Sequence, residues 1–419
     1  MNLLVTDIGE LLTCDGHGAS ALGVQHGATV LVLDGRIAFA GPATALSTSR
    51  IPAGTPVVSA AGALVTPGLV EPHAHPIFAG SRADEFAMRA AGATYLEIQA
   101  AGGGILSTVR ATRAASDDEL VQSTAARLSR FAAGGTTCVE AKSGYALSIE
   151  GELRLLRLLR RVGGHHVVTL SPTLLAHVPP TPELLREAGL DRAAYVQRFC
   201  TEAIGTAARE GLAEAIDVYC DEGAFTLAET RTLLEAGRSA GLALRVHAEQ
   251  FTHTGAADLA AELGARSVEH LERPGPETPA RLAAAGTVVN LLPGAALTLR
   301  LPWPDVGKLR ASGCTMALGT DCNPGSSLSE SQALMMSLAV LQMGMTVAEA
   351  WLGVTRHAAH AVGREDRGHL GVGAVGDLVV WNEVDHRELV QHLGGPHAVQ
   401  VIIGGQPVTP IPTSQNSAS

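Results

Sequence analysis

Four short contexts in the chain place histidines and a carboxylate where metal-assisted hydrolysis needs them. Glu71-Pro72-His73-Ala74-His75 ends an apolar run. On an extended segment residues two apart face the same way, so both imidazoles can reach one point. Val246-His247-Ala248-Glu249-Gln250 ends a second run, His270 sits on a third, and a last run ends in Gly319-Thr320-Asp321-Cys322-Asn323. His73, His75, His247 and Asp321 form a nitrogen/oxygen ligand set for zinc or iron, with room for water. Such an ion lowers the pKa of its water and polarises a carbonyl. Taken singly, each residue has a plainer explanation. His270 alone reads as a hydrogen-bonded structural group, and Asp321 alone as a helix cap. Four strand ends that match at once favour the metal site.

To meet, these residues must lie at one end of a common scaffold. Eight apolar, β-branched-rich runs alternate with helical segments: ALVTPGLVEP, TTCVEA, HHVVTLSP, AIDVYCDE, LALRVHAE, RSVEHLE, TVVNLLPG and CTMALGTD. One intervening helix opens on Ser116, with Glu119 completing a capping box. EGELRLLRLLRRVGG is another, with leucines at helical spacing and a glycine stop. Periodicity alone does not exclude a doubly wound open sheet, but eight strand–helix units predict a (β/α)8 TIM barrel over residues 65–369. A barrel keeps its chemistry at the strand C-termini, which is where the four contexts fall. Residues 1–64 and 370–412 read differently, as short strands and turns. Asp34-Gly35 and Gly404-Gly405 each sit between apolar runs and predict tight hairpins. Both ends are expected to build one composite β-sandwich, with 413–419 a disordered tail.

The bulk properties suit a compact enzyme. The 419 residues are 46% hydrophobic and only 17% charged, enough for two domains and a large core. A net charge of −11 without a Lys/Arg cluster argues against nucleic-acid or anionic-membrane partners. The N-terminal MNLLVTDIGELLT lacks the basic start of a secretory signal, and no apolar run suggests a membrane span. Six scattered cysteines without a CxxC pair read as reduced thiols of a cytoplasmic protein, mostly core fillers.

Other motifs carry less. Gly371-Val372-Gly373-Ala374-Val375-Gly376 matches GxGxxG but precedes a strand instead of following one, so it reads as a turn. Gly102-Gly103-Gly104 has no following GK[ST] and reads as a loop near the mouth of the site. Lys142 ends the second run, either as a bridging carbamate between two metals or, more simply, as a structural ion-pair partner or a ligand-facing charge.

Longer strings resemble the amidohydrolase superfamily and, within it, the imidazolonepropionase family. They are FAGSRADEFAMRAAGATYLEIQAAGGGI (78–105), STVRATRAAS (107–116), VEAKSGYALS (139–148), RVHAEQF (245–251), EHLE (269–272) and CNPGSS (322–327). The resemblance spans about residues 20–385 and implies hydrolysis of the cyclic amide of 4-imidazolone-5-propanoate to N-formimidoyl-L-glutamate in histidine degradation. Another amidohydrolase activity, a deaminase or cyclic-imide hydrolase on a small carboxylate-bearing heterocycle, is the alternative. The resemblance also implies one zinc or iron ion per subunit on His73, His75, His247 and Asp321. Arg82, Tyr145, His177 and Gln250 would contact substrate, with Asn323, Gly325 and Ser326. Arg82 offers the planar fork that pairs with a carboxylate. Gln250 stands where some relatives carry Glu, so it can orient but not cycle a proton. Asp321 and His270 both remain candidates for the base. The partner is a small molecule, and a homodimer is the default assembly.

Overall fold

The computed structural model describes residues 1–93, 103–393 and 398–408. The expected tail at 413–419, residues 409–412, Gly102 and part of the 78–105 string lie outside the described residues. Strands β1 (Leu3–Leu12), β2 (Val24–Leu33), β3 (Arg36–Pro42), β4 (Val57–Ser59) and β5 (Leu64–Pro67) open the chain. Eight strands follow: β6 (Leu69–Ala74), β7 (Thr136–Lys142), β8 (Thr169–Ala176), β9 (Ala215–Cys220), β10 (Ala243–Ala248), β11 (Ser267–His270), β12 (Val288–Leu291) and β13 (Met316–Leu318). The last three are β14 (Leu378–Trp381), β15 (Ala398–Ile403) and β16 (Gln406–Val408).

All eight predicted runs contribute a barrel strand. They pair in parallel in the order β6 to β13. The ring closes where Ala74 bridges Cys322 in parallel; Asp321 N donates to His73 O at 3.0 Å and His75 N to Cys322 O at 3.0 Å. Closure therefore carries the first and last candidate ligands side by side.

The helices pack their apolar faces on this ring. Asp117–Ala133 starts at the expected Ser116/Glu119 capping box and buries Leu120, Leu128 and Phe131. Ile149–Gly163 buries Leu153, Leu156 and Leu159 against the strands. Its outward arginines bind the neighbouring helix, Arg154 to Asp117 at 2.7 Å and Arg161 to Asp118 at 2.8 Å.

Both chain ends join one eight-stranded sheet in the order β16-β15-β14-β5-β1-β2-β3, with β4 paired to β1. The two hairpins form as expected, because Asp34 (φ 51°), Gly35 (78°), Gly404 (58°) and Gly405 (75°) all occupy the left-handed region. The 371–376 glycines form the expected turn: Gly376 N donates to Gly35 O at 2.8 Å, docking it on the β2–β3 hairpin.

One predicted run is split. ALVTPGLVEP supplies β5 to the terminal sheet and β6 to the barrel, with Gly68 at the crossing. A Cβ there would lie 2.4 Å from Thr137 Oγ1 and 3.0 Å from Asp377 Cβ, so only glycine fits between the two sheets. Two tryptophans weld the same junction. Trp381 on β14 donates to Thr66 Oγ1 on β5 at 2.9 Å, and its ring meets that of Trp351, on the barrel helix Val347–Gly353, edge to face at 6.4 Å. Both are fully buried. Trp381→Ala is therefore expected to lower the unfolding free energy by about 3–5 kcal/mol, read by urea titration; a loss below about 1 kcal/mol would contradict the weld.

Candidate metal centre

The closing strands bring the predicted ligands together. His73, His75 and His247 each offer a ring nitrogen, and these nitrogens all lie within 4.8 Å of one another. Asp321 Oδ1 stands 3.4 Å from His73 Nε2 and 3.3 Å from His75 Nε2. His73 Nε2 is buried yet has no hydrogen-bond partner among the described residues. Burial would raise the Asp321 carboxyl, but the facing His73 and His75 rings hold it well below the usual carboxylate range.

Beneath the histidines lies a layer of buried charge. Glu269 Oε2 accepts from His73 Nδ1 at 2.9 Å, and Asp217 Oδ1 from His247 Nδ1 at 3.0 Å. Each carboxylate fixes its imidazole with Nδ1 protonated, freeing Nε2 as a ligand. Lys142 Nζ donates to Glu140 Oε1 at 2.8 Å and to Asp217 Oδ2 at 2.7 Å. Of the readings of Lys142, the structure has the ion pair. Arg245 joins the layer 3.8 Å from Glu140, and Asn290 donates to Glu269 at 2.7 Å.

This layer also tests whether a cation belongs here. With the imidazoles neutral, as ligation requires, the buried carboxylates Glu140, Asp217, Glu269 and Asp321 meet Lys142 and Arg245 as the buried cations beside them among the described residues, which leaves two negative charges for an ion to balance. Glu71 adds none, because burial pushes its carboxyl up to about 8. Burial and Lys142 depress His73, yet Glu269 and Asp321 outweigh them and lift it to about 9. A buried negative excess facing three imidazoles fits a divalent ion.

Backbone strain concentrates at the same strand ends. Glu249 (φ 60°), His270 (80°), Leu271 (69°) and Asp321 (50°) are non-glycine residues in the left-handed region. At His270 the break in extended geometry lets its ring follow Glu269 toward the centre, 6.0 Å from the His73 ring and 5.6 Å from that of His247. Its Nδ1 faces Glu272 Oε1 at 3.5 Å.

The remaining predicted residues surround the mouth. Tyr145 is buried, with its ring 6.0 Å from His75 and 5.4 Å from His177; burial raises its phenol, which stays a donor. His177 stacks on His75 at 5.6 Å and donates through Nδ1 to Gly144 O at 3.0 Å, while burial lowers its pKa to about 4. Gln250 is buried just beyond β10. Asn323 spends its amide within its own loop, donating to Asp321 O at 2.6 Å and Ser326 Oγ at 2.8 Å and accepting from Gly325 N at 2.8 Å. Ser326 Oγ donates to Asp321 Oδ2 at 3.2 Å. Arg82 lies over Gly325 and pairs with Glu85.

Sequence reasoning missed Asp217 and Glu269. The available signal was a carboxylate inside an otherwise apolar strand, Asp217 in β9 and Glu269 in β11 beside His270. A second group with metal-ligand geometry, Glu10, Asp385 and His386, lies elsewhere. Its members already pair, His386 with Glu10 at 2.7 Å and Asp385 with Arg387.

Comparison with known proteins shows the family and the fold. Residues 85–409 match the model of the Amidohydrolase family. The imidazolonepropionase of Myxococcus xanthus (strain DK1622) is 45% identical, with 97% of each chain covered. That of Geobacillus kaustophilus (strain HTA426) is 42% identical, again over 97% of each chain. Among solved structures, an adenosine deaminase from Xanthomonas campestris with bound zinc superposes with a TM-score of 0.71 at 18% identity, covering 97% of this chain and 92% of that one, which shows the shared fold. The chain belongs to the imidazolonepropionase family of the amidohydrolases.

Proposed function

We infer that the protein hydrolyses the cyclic amide of 4-imidazolone-5-propanoate to N-formimidoyl-L-glutamate in histidine degradation, with one zinc or iron ion. The observation that carries this reading is the three imidazole nitrogens and Asp321 gathered over an excess of buried negative charge. His73, His75, His247 and Asp321 would hold the ion, which supplies Lewis acidity for the amide carbonyl and makes water easier to deprotonate.

The protein's own groups do the rest. Asp321 Oδ1 faces the ligand nitrogens directly, so it takes the proton from the attacking water and returns it to the departing ring nitrogen. His270, on the opposite flank beside His73 and His247, holds the developing oxyanion. His177 is neutral at pH 7; with Nδ1 spent on Gly144, its Nε2 accepts from a ring N–H of substrate. Tyr145 donates from the adjoining wall, and Gln250 orients the ring. Asn323 and Ser326 shape the loop and steady Asp321, while Arg82 pairs with the propionate beside Gly325. Six free cysteines suit a cytoplasmic setting, and no helix among the described residues is long and apolar enough to cross a membrane. A homodimer is the default assembly for such an enzyme.

Turnover is followed by loss of the ultraviolet band of freshly generated imidazolonepropionate. Metal-loaded wild type is expected to consume it rapidly; failure to do so would overturn the substrate assignment. Stripping the protein with a chelator is expected to abolish turnover, and added zinc or iron to restore it. Asp321→Asn should cost about 10²–10⁴ in kcat. Asp217→Asn or Glu269→Gln is expected to weaken metal affinity by about 10–100-fold, measured by competition with a chromogenic chelator; unchanged affinity would remove the carboxylates from that role. Arg82→Ala should lower kcat/KM by about 10–100-fold through loss of charged hydrogen bonds.

A further inference from the structure

The pairing of Arg82 has a consequence for how substrate is recognised. A guanidinium carries five N–H groups and two edges able to grip a carboxylate. Glu85 Oε2 occupies the side edge, 2.8 Å from Arg82 Nε and 2.6 Å from Nη2. The other oxygen of Glu85 accepts from Gly104 N at 3.0 Å, so this buried carboxylate is tied at both ends and cannot swing away. Gly104 in turn starts the helix Ile105–Ala114.

The end edge of Arg82, Nη1 with the second N–H of Nη2, has no hydrogen-bond partner among the described residues. It projects over Gly325, where a Cβ would lie only 2.1 Å from Nη1. Arg89 approaches the same spot and donates to Gly325 O at 3.0 Å. Burial, and then the charge of Arg82, lower its pKa. Two guanidiniums thus meet with one carboxylate between them, and the group keeps a positive charge.

We propose that Glu85 is a positioning residue for substrate recognition: it clamps Arg82 by the side edge, so that the end edge, in the space Gly325 leaves, grips the substrate's carboxylate. This inference rests on the substrate assignment above. Without Glu85 the arginine would rotate about its side chain, and the same charge would sit in the wrong place. A role confined to the Gly104 contact would instead affect folding and leave carboxylate preference alone.

The test uses calorimetric binding of imidazole-4-propionate and of its amide, imidazole-4-propionamide, to the metal-loaded protein. Wild type is expected to prefer the acid. Glutamine has a single acceptor oxygen and cannot serve both Arg82 and Gly104, so Glu85→Gln should weaken acid binding about tenfold and leave amide binding unchanged. Adding Glu85→Gln to Arg82→Ala should weaken acid binding no further, because the clamp then has nothing to hold. Equal losses for acid and amide, or additive losses in the double variant, would overturn the clamp. A wild type without preference for the acid would overturn the substrate assignment and the clamp with it. A wild type that prefers the acid beside an unaffected Glu85→Gln would overturn the clamp alone.

Discussion

The site depends on buried carboxylate charge that Lys142 and Arg245 only partly balance. Carboxylates removed from water are costly unless paired. Lys142 and Arg245 pair with part of the layer formed by Glu140, Asp217 and Glu269. The remainder points upward at His73 and His247. One arrangement therefore does two things: it fixes which nitrogen each imidazole presents, and it creates the field in which a cation is favourable. Closure of the ring through the His73–Asp321 and His75–Cys322 backbone bonds brings the Asp321 carboxylate to the same point.

Much of this was legible in the sequence, for identifiable reasons. The eight barrel strands are apolar because both of their faces are buried, so they stand out from the amphipathic helices. The hairpins announced themselves through Asp34-Gly35 and Gly404-Gly405, whose backbone requirements few residues meet. The clustering of His73, His75, His247 and Asp321 was foreseeable because a barrel brings its strand ends together. The division of ALVTPGLVEP was not visible, since both halves are equally apolar; only the crowding around Gly68 decides it. The carboxylate layer was hidden for a related reason. Asp217 and Glu269 look like isolated charges until the closed barrel sets their side chains against His247 and His73. Asn323 shows a third limit: a motif can locate a residue near substrate, but only geometry shows that its amide is already engaged in its own loop.

Rigid strands hold the centre, while the segments that follow them select what reaches it. The helix beginning at Ala83, the loop from Asn323 to Ser327 and the turn at Gly144 carry Arg82, Ser326 and the support for His177. The loop is coupled to the centre by the Ser326–Asp321 hydrogen bond and to the helix by Arg89 and Gly325. The helix that follows Arg82, the 323–327 loop and Asp321 are in this way parts of one hydrogen-bonded frame.

The account stands on side chains from four strand ends sharing one cation. Anomalous diffraction from a crystal of the purified protein, at the absorption edge of the metal it carries, tests this most directly. It should give a single strong peak about 2.0–2.2 Å from a nitrogen of His73, His75 and His247 and from a carboxylate oxygen of Asp321. A metal-replete crystal with no peak there, or with its peak among Glu10, Asp385 and His386, would contradict it.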